Sequence, residues 1–397
     1  MIERTLQERL LKLAAAFPVV TLTGPRQSGK TTLCRLAFPD KPYITLESPA
    51  ERQRAADDPL GFLGAFPDGA IIDEVQRVPE LPSYLQGMVD EDPRPGRFIL
   101  TGSQNFGIWE SVTQSLAGRT ALLELLPLSL EELRRFEDPP QSLFETVWSG
   151  GYPRIFERNL PPSDWLESYV ATYVERDVRQ LVNVGDLIQF QTFLRLCAGR
   201  TGQLLNYSSL AADVGISQPT AKAWLSVLEA SYLVFRLPPF HRNLGKRLVK
   251  SPKLYFYDTG VACSLLGIET PAQLETHPLR GSIFESWVVA EVAKQILHRG
   301  RRPRLSFYRD RGGLEVDLLV EGGGELTAVE IKSGQTPTSG FFTGLNRFAD
   351  IVEPRSQTRL GRRIAVYGGA EPQTRSGGLL LPWSQLDLAP WAGPPAA

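Results

Sequence analysis

The stretch at residues 23–33, TGPRQSGKTTL, places two glycines around four residues and follows them at once with Lys30 and Thr31. This spacing is typical of a phosphate-binding loop, in which glycines let the backbone turn so that its N–H groups cradle a phosphate chain. We expect Lys30 to reach the β- and γ-phosphates of ATP and Thr31 to ligate Mg²⁺. The residues predicted to bind the nucleotide in this loop are Gly24, Pro25, Arg26, Gln27, Ser28, Gly29, Lys30, Thr31 and Thr32.

The sequence on either side of the loop fits this prediction. FPVVTL, just before it, reads as a buried strand, and KTTLCRLAF, just after it, reads as a helix. The amino end of that helix adds a dipole that favours anions. The alternative is a glycine-rich loop that matches the pattern by chance.

Composition predicts a cytoplasmic globular protein of two or three domains, at about 150 residues per domain. The 397 residues are 42% hydrophobic and 22% charged, and the formal net charge is −1. A chain so nearly neutral carries no global signature for polyanions, so any nucleic-acid surface has to be local. Cys34, Cys197 and Cys263 are widely separated, which indicates neither a disulfide framework nor a zinc motif. No apolar run approaches the ~20 residues that span a bilayer, and we expect no membrane contact.

A second nucleotide signature follows in GAIIDEVQRVPEL, residues 69–81. An apolar strand ends there in two adjacent carboxylates. We expect Asp73 to hold the Mg²⁺ shell and Glu74 to orient or deprotonate the attacking water. Such a pair is weak evidence alone, but it follows a phosphate loop by one strand–helix unit.

Two further polar groups are candidates for the same site. The strand RFILTGSQN ends in Ser103 and Gln104, either of which can sense the γ-phosphate, although a plain loop after a strand fits equally well. Arg119 is a candidate to stabilise transition-state charge in its own subunit or in a neighbour's, and the alternative is a salt-bridged surface arginine. Alternating strands and helices predict an α/β fold with a parallel sheet and helices on both faces.

The middle of the chain predicts a helix-turn-helix followed by a two-stranded wing. In residues 206–237 Gly215 makes the turn and Ser217 caps the second helix. The linker to the next strand is basic, from Arg236 to Lys253, with no acid before Asp258. Phosphate contacts hold proteins on DNA, so we favour DNA binding over a solvated edge of a packing domain. The predicted DNA-binding residues are Thr220, Lys222, Arg242, Lys246, Arg247 and Lys250.

The carboxyl-terminal part carries an Asp and a Glu-x-Lys on adjoining strands, as in restriction-endonuclease-like nucleases. Asp317 and Glu330 are predicted to bind Mg²⁺ and Lys332 to position the attacking water, because oxygen ligands suit Mg²⁺. Glu285, on the preceding helix, is predicted to complete the metal shell. The alternative is an inherited nuclease fold that binds without cutting.

Taken together, these segments resemble a prokaryotic family of AAA-type ATPases that join a phosphate-loop domain to a carboxyl-terminal domain of unknown function. The motifs that carry the resemblance span most of residues 17–335 and include IIDEVQRVPEL, SLAGR, GGYPR, YVERDVRQL, YFYDTGVA and GSIFESWVVAE. The resemblance implies an ATPase joined through a winged-helix element to a restriction-endonuclease-like module. It leaves open whether Arg119 or Arg176 acts across a subunit boundary.

The resulting domain prediction has five parts. An ATPase domain covers residues 1–136, a helical lid or linker 137–185, a winged-helix domain 186–268, a restriction-endonuclease-like domain 269–388 and a loose tail 389–397.

The leading functional prediction is an oligomeric ATPase, with a hexamer as one form, that remodels DNA in repair, recombination or defence. That choice of substrates rests on fold analogy. A nucleotide-dependent switch or scaffold for protein partners, whose nuclease-like domain only binds, is the alternative. A kinase is disfavoured because the chain shows no acceptor-pocket motif.

Overall fold

The chain folds as two units, each built around a sheet of its own. The first comprises residues 1–128 together with 230–232 and 297–300, and the second comprises the remaining residues up to 397. The computed structural model describes residues 2–103, 115–173, 187–240, 249–352 and 359–391.

The sheet of the first unit consists of five parallel strands in the order β2-β3-β4-β1-β5. Its strands are β1 (Val19–Thr23), β2 (Tyr43–Thr45), β3 (Ile71–Asp73), β4 (Phe98–Gly102) and β5 (Thr120–Glu124). Every residue of β1 is buried, as expected for a central strand covered on both faces. The register places the carboxyl end of β1, Thr23, beside Gly102 and Glu124.

Helices cover both faces of this sheet. They are α1 (Gln7–Ala14), α2 (Lys30–Ala37), α3 (Pro49–Asp57), α4 (Pro59–Gly64) and α5 (Leu81–Glu91), with a 3₁₀ turn at Val75–Arg77. One hydrophobic core packs α1 and α2 against Val20 and Leu22 of β1. The other packs α3, α4 and α5 against Phe98 and Leu100 of β4. The predicted phosphate-loop α/β fold is therefore confirmed.

The second unit begins with a mainly helical region that leads into a two-stranded pair. Its elements are α6 (Leu130–Leu133), α7 (Leu143–Ser149), α8 (Pro153–Glu157), α9 (Pro162–Tyr169), α10 (Leu187–Gly199), α11 (Tyr207–Val214), α12 (Gln218–Ala230), β6 (Val234–Leu237) and β7 (Lys253–Phe256). The predicted turn and cap are confirmed: Gly215 ends α11 with φ +78°, and Ser217 Oγ accepts from the Thr220 N–H at 3.2 Å. Strands β6 and β7 are antiparallel.

A mixed six-stranded sheet closes the second unit, in the order β12-β13-β11-β10-β9-β8. The strands are β8 (Leu305–Arg309), β9 (Glu315–Gly322), β10 (Glu325–Lys332), β11 (Arg359–Tyr367), β12 (Gln373–Arg375) and β13 (Gly378–Pro382). The helices are α13 (Thr259–Leu265), α14 (Pro271–Thr276), α15 (Arg280–Leu297) and α16 (Thr343–Val352), with 3₁₀ turns at Ser339–Phe342 and Trp383–Leu388. The predicted hairpin through Gly312 and Gly313 joins β8 to β9. Within the described ranges, no helix has both the length and the apolarity needed to cross a bilayer.

Asp258, in the motif YFYDTGVA, is hydrogen-bonded to the motif GGYPR in the second unit. Its side chain caps α13 by accepting from the Val261 N–H at 3.2 Å, and it also accepts from the Gly151 N–H at 2.7 Å. A Cβ at Gly150, whose φ is +67°, would lie 2.2 Å from this carboxylate. Burial raises the pKa of Asp258, and the Lys294 ammonium opposes that shift. The first glycine of GGYPR is therefore explained by its close packing against Asp258.

Replacing Asp258 with alanine tests this buried contact. We expect Asp258→Ala to lower the free energy of unfolding by about 3 kcal/mol, because several buried N–H groups lose their acceptor. Asn206, which caps α11 at an exposed position, is the matched control, and Asn206→Ala should cost about 1 kcal/mol. Urea unfolding followed by tryptophan fluorescence measures both. Equal losses would contradict a special contribution from Asp258.

Candidate nucleotide site and carboxylate cluster

The phosphate loop connects β1 to α2 and has backbone geometry that requires glycine. Gly24 has φ +150°, and a Cβ there would lie 2.1 Å from the Leu125 carbonyl oxygen. Gly29 has φ +94° immediately before α2, and Gln27 also lies in the left-handed region at φ +63°. The two glycines of the motif are thus fixed by close approach and by chain direction.

Lys30 is buried at the base of this loop, with 5% of its surface exposed. Its ammonium donates to the carbonyls of Gly24 at 2.9 Å and Pro25 at 2.8 Å. Burial lowers the pKa of Lys30, while the carboxylates of Glu74 and Asp73 act in the opposite direction. The cation is therefore held within the loop by neutral oxygens, which phosphate oxygens can replace.

Thr31 and Asp73 meet as the sequence predicts for a magnesium pair. The Thr31 hydroxyl donates to both carboxylate oxygens of Asp73, at 3.2 and 3.1 Å. Tyr43 donates to the same carboxylate at 2.8 Å, and the Thr101 hydroxyl donates to its other oxygen. Oxygen donors of this kind suit Mg²⁺, so the residues present fit the ion that the fold implies.

Glu74 is held separately from Asp73 although the two are neighbours in the chain. It follows β3 directly with φ +57°, a conformation that non-glycine residues rarely adopt and that often occurs at functional sites. Its Oε2 accepts from the Ser103 hydroxyl at 2.9 Å and from the Gln76 amide, and that amide also lies 3.3 Å from the Ser103 hydroxyl. Ser103 directly follows β4, which lies between β1 and β3. The predicted sensor residue is therefore in contact with the predicted general base.

Three side chains that the sequence analysis missed support the loop. Arg4 is buried and donates to the Ser28 carbonyl at 2.6 Å and to the Leu126 carbonyl at 2.8 Å. His298 Nε2 accepts from the Leu126 N–H at 3.2 Å. The Tyr232 hydroxyl lies 2.7 Å from the Thr23 hydroxyl, at the residue just before Gly24. These four contacts span 24, 122, 172 and 209 positions, and no local pattern signals them.

Other residues of the loop and of the start of α2 lie at the surface. Arg26 pairs with Glu47 at 3.1 Å. Thr31 and Thr32 line an open groove of about 580 Å³ together with Tyr43. The sequence motif of the loop therefore predicts the backbone conformation of the loop, but it does not predict side-chain contacts such as that between Arg26 and Glu47.

Arg119 does not reach the phosphate loop of its own chain. It precedes β5, and its carbonyl accepts from the Val19 N–H at the start of β1. Four strand residues, or about 13 Å, separate that edge of the sheet from the loop. The guanidinium is instead bound to Asp90 at 2.8 Å. A contribution to hydrolysis within the same subunit is not supported by this position, and one in a neighbouring copy stays a prediction.

In the second unit, the predicted Asp and Glu-x-Lys lie on the antiparallel neighbours β9 and β10. Asp317 is buried and accepts from the Ile331 N–H at 2.8 Å. Glu330 Oε1 lies 2.6 Å from the Lys332 ammonium, whereas its Oε2 is buried and has no hydrogen-bond partner among the described residues. The predicted residues are thus brought together.

Lys253 also enters this cluster, which corrects its assignment to the basic linker. It is 3% exposed, and its ammonium lies 2.8 Å from Glu285 and 2.7 Å from Glu315. Tyr255 donates to the same Glu285 oxygen at 2.5 Å. Burial alone would lower the pKa of Lys253, but Glu285, Asp317 and Glu315 raise it above its usual value. This lysine is buried among acids and cannot face DNA.

The carboxylates of the cluster are crowded with like charge. Burial, followed by the charge of Asp317, raises the pKa of Glu285 to about 7 and that of Glu330 to about 7. Burial likewise raises the pKa of Asp317. In the part of the chain that the structure describes, no group of three or more His, Cys, Asp or Glu side chains is arranged to hold a metal ion.

Three of the predicted DNA-binding residues lie within the described ranges. Lys222 is exposed on α12, with its ammonium 5.5 Å from the Tyr207 ring centroid, and Lys250 is also exposed. The Thr220 hydroxyl lies 2.7 Å from that of Ser217, so it belongs to the cap of α12. The other three predicted DNA-binding residues, Arg242, Lys246 and Arg247, lie outside the described ranges. The same is true of Gln104 and Arg176, which were predicted for the nucleotide site.

Comparison with known proteins assigns the chain to a family. The AAA domain family matches residues 16–134, and two domains of unknown function, DUF8612 and DUF4143, match 140–272 and 280–386. The uncharacterized protein Rv2008c of Mycobacterium tuberculosis is 36% identical over 339 residues, covering 83% of this chain and 74% of that protein. The chain belongs to the same family as Rv2008c. Mb2031c of Mycobacterium bovis, also uncharacterized, matches with the same values.

The AAA domain match confirms the AAA-type part of the resemblance, because the matched range contains the phosphate loop, Asp73 and Glu74. The nuclease-like interpretation of the carboxyl-terminal domain stays a prediction. Among solved structures, the Walker-type ATPase PABY2304 of Pyrococcus abyssi aligns at 16% identity with a TM-score of 0.40, covering 66% of this chain and 94% of that one. At these values the likeness carries no further conclusion.

The contact between Tyr232 and Thr23 provides a test of loop support. Tyr232→Phe keeps the ring but removes the hydroxyl, so we expect a fluorescent ATP analogue to bind about fivefold more weakly, as for the loss of one hydrogen bond of about 1 kcal/mol. Tyr152→Phe removes a comparable buried hydroxyl contact, to Tyr169 in the second unit, and serves as the control. Unchanged affinity in Tyr232→Phe, or an equal loss in both variants, would argue against this support.

Proposed function

We propose that the protein is an ATP-hydrolysing enzyme that acts on DNA as an oligomer. The observation that carries the ATPase assignment is the separation of Glu74 from Asp73 at the carboxyl end of β3. Asp73 is bonded to Thr31 beside the buried Lys30, whereas Glu74 is bonded to Ser103. These separate contacts support a division in which Asp73 would hold the magnesium ion and Glu74 would act on the water.

The geometry assigns a task to each side chain. Lys30, now donating to loop carbonyls, would exchange them for phosphate oxygens and stabilise the charge that develops on transfer. Thr31 and Asp73 would hold Mg²⁺, which would supply positive charge to neutralise the phosphates. Glu74 would accept the proton of the attacking water or orient it, with Ser103 fixing the direction of its carboxylate.

Two substitutions separate binding from hydrolysis. Lys30→Ala should reduce ATP turnover at least about 100-fold, because a positive charge at the phosphates is lost. Glu74→Gln should reduce turnover about 100-fold but keep the binding of ATP, because only the proton acceptor is removed. The exposed residues Lys12 and Glu80 provide matched controls as Lys12→Ala and Glu80→Gln. Phosphate release and nucleotide binding measure the two steps. Normal turnover in Glu74→Gln would refute its assignment as the base.

DNA binding is proposed from the helix-turn-helix of α11 and α12 and from the basic linker beyond β6. Lys222 and Lys250 are exposed cations within the described part of this region. Arg236, by contrast, pairs with Glu229 at 2.6 Å, so it contributes less charge to such a surface. An oligomer is proposed because Arg119 lies away from the phosphate loop of its own chain and would need a neighbouring copy to act in hydrolysis.

The DNA proposal predicts that ATP turnover responds to DNA. We expect duplex, single-stranded or branched DNA to raise turnover, and the double variant Lys222→Ala/Lys250→Ala to bind DNA more weakly. The slope of log K against log salt should fall by up to about 2, since each lost phosphate contact contributes about 0.9. Lys12→Ala, which removes an exposed lysine of α1, is the control. Turnover that no form of DNA changes would contradict the DNA proposal and favour the switch or scaffold for protein partners.

Of the predicted activities, metal-dependent cleavage of DNA has the least support from the side chains of the carboxylate cluster. Each of Glu285 and Glu330 has an oxygen bound to a lysine, and Asp317 has one bound to the backbone. The set present therefore does not fit the magnesium ions that a nuclease of this type would use. The module is proposed to be nuclease-like in its strand arrangement and to bind rather than to cut.

A further inference from the structure

Lys253 is a buried cation surrounded by carboxylates. Its ammonium lies 2.8 Å from Glu285 of α15 and 2.7 Å from Glu315 of β9, and the charge of Asp317 also acts on it. The side chain is anchored from β7, whose residues are all buried, and the ammonium lies 5.5 Å from the Phe307 ring centroid. All of these residues belong to the second unit.

The charge balance explains why a lysine can be buried here. An isolated ammonium transferred from water into a protein interior loses several kcal/mol of hydration, so buried charges occur where they are paired. The cluster also contains four acids whose negative charges repel one another: Glu285, Glu315, Asp317 and Glu330. A nearby cation reduces this repulsion. Lys253 supplies a positive charge from within the chain, in contact with Glu285 and Glu315.

The same contacts occupy the ligands that a divalent ion would need. Mg²⁺ takes about six oxygens at 2.0–2.1 Å in near-octahedral geometry. Glu285 Oε1 is shared between Lys253 and Tyr255, and Asp317 Oδ2 accepts from the Ile331 N–H. Glu330 Oε2 lacks a hydrogen-bond partner among the described residues, while Glu330 Oε1 lies 2.6 Å from the Lys332 ammonium.

We propose that the Lys253 ammonium is the resident cation of this cluster and takes the place of a divalent metal ion, so that Glu285, Asp317 and Glu330 bind none. The carboxyl-terminal module therefore keeps the residue order of a metal-dependent nuclease but neutralises its acids internally. This explains how a chain can retain Glu285, Asp317, Glu330 and Lys332 in a module that binds without cutting.

Manganese uptake by the full chain tests the proposal without a cleavage assay. The Asp73→Asn variant removes the carboxylate predicted to bind metal in the first unit, and no nucleotide is added. Loss of the electron paramagnetic resonance signal of free Mn²⁺ reports binding. We expect Asp73→Asn to take up no Mn²⁺ at the cluster below about 1 mM. Uptake that is abolished by adding Glu285→Gln or Glu330→Gln would overturn the proposal, and this measurement leaves Lys253 in place.

Removing the lysine should create the metal site. Lys253→Met in the Asp73→Asn chain keeps most of the volume and leaves the acids without their cation, so we expect Mn²⁺ to bind at least about tenfold more tightly. Lys294→Met is the matched control, because Lys294 is buried beside Glu291 outside the cluster and should gain no Mn²⁺. A folded Lys253→Met chain without increased uptake would overturn the proposal. DNA-stimulated ATP turnover tests the proposed function separately.

Discussion

The close approach of Gly24 to the Leu125 carbonyl is the constraint on which the nucleotide site depends. Because Gly24 has no Cβ, the chain that leaves β1 can pass close to the segment that follows β5. A Cβ at this position would clash with the Leu125 carbonyl oxygen. The Leu125 N–H donates to the Thr23 carbonyl at 2.8 Å, and Arg4 bridges the carbonyls of Ser28 and Leu126. The phosphate loop is thus positioned by the backbone of an adjoining strand end.

Two buried lysines show how surroundings decide what a cation can do. Lys30 contacts neutral carbonyls, and burial lowers its pKa, so its charge is only partly compensated and an anionic ligand can complete the compensation. Lys253 contacts two carboxylates that raise its pKa, so its charge is already balanced by the protein. The first environment suits recognition of a triphosphate, whereas the second suits a cluster that needs no added ion.

The positions that the sequence predicted well are those whose local geometry follows from neighbours in the chain. Gly24, Thr31 and the Asp73–Glu74 pair could be predicted because a strand end and a helix start place them, and the same holds for Gly215 and the hairpin at Gly313. Arg4, Tyr232 and His298 could not, because their partners lie 24 to 209 positions away, beyond the reach of any local pattern. Lys253 was misassigned for a related reason: period two in a short strand does not reveal that three acids from other elements surround its side chain.

Mg²⁺-dependent binding of ATP is the property that tests the account most directly. Equilibrium dialysis of labelled ATP against the full chain, with Mg²⁺ and then with excess EDTA, measures it. We predict one ATP per chain and binding at least about tenfold weaker with EDTA, because Thr31 and Asp73 would hold the nucleotide through the ion. Absence of binding, or equal binding in both conditions, would contradict a site built from Lys30, Thr31 and Asp73.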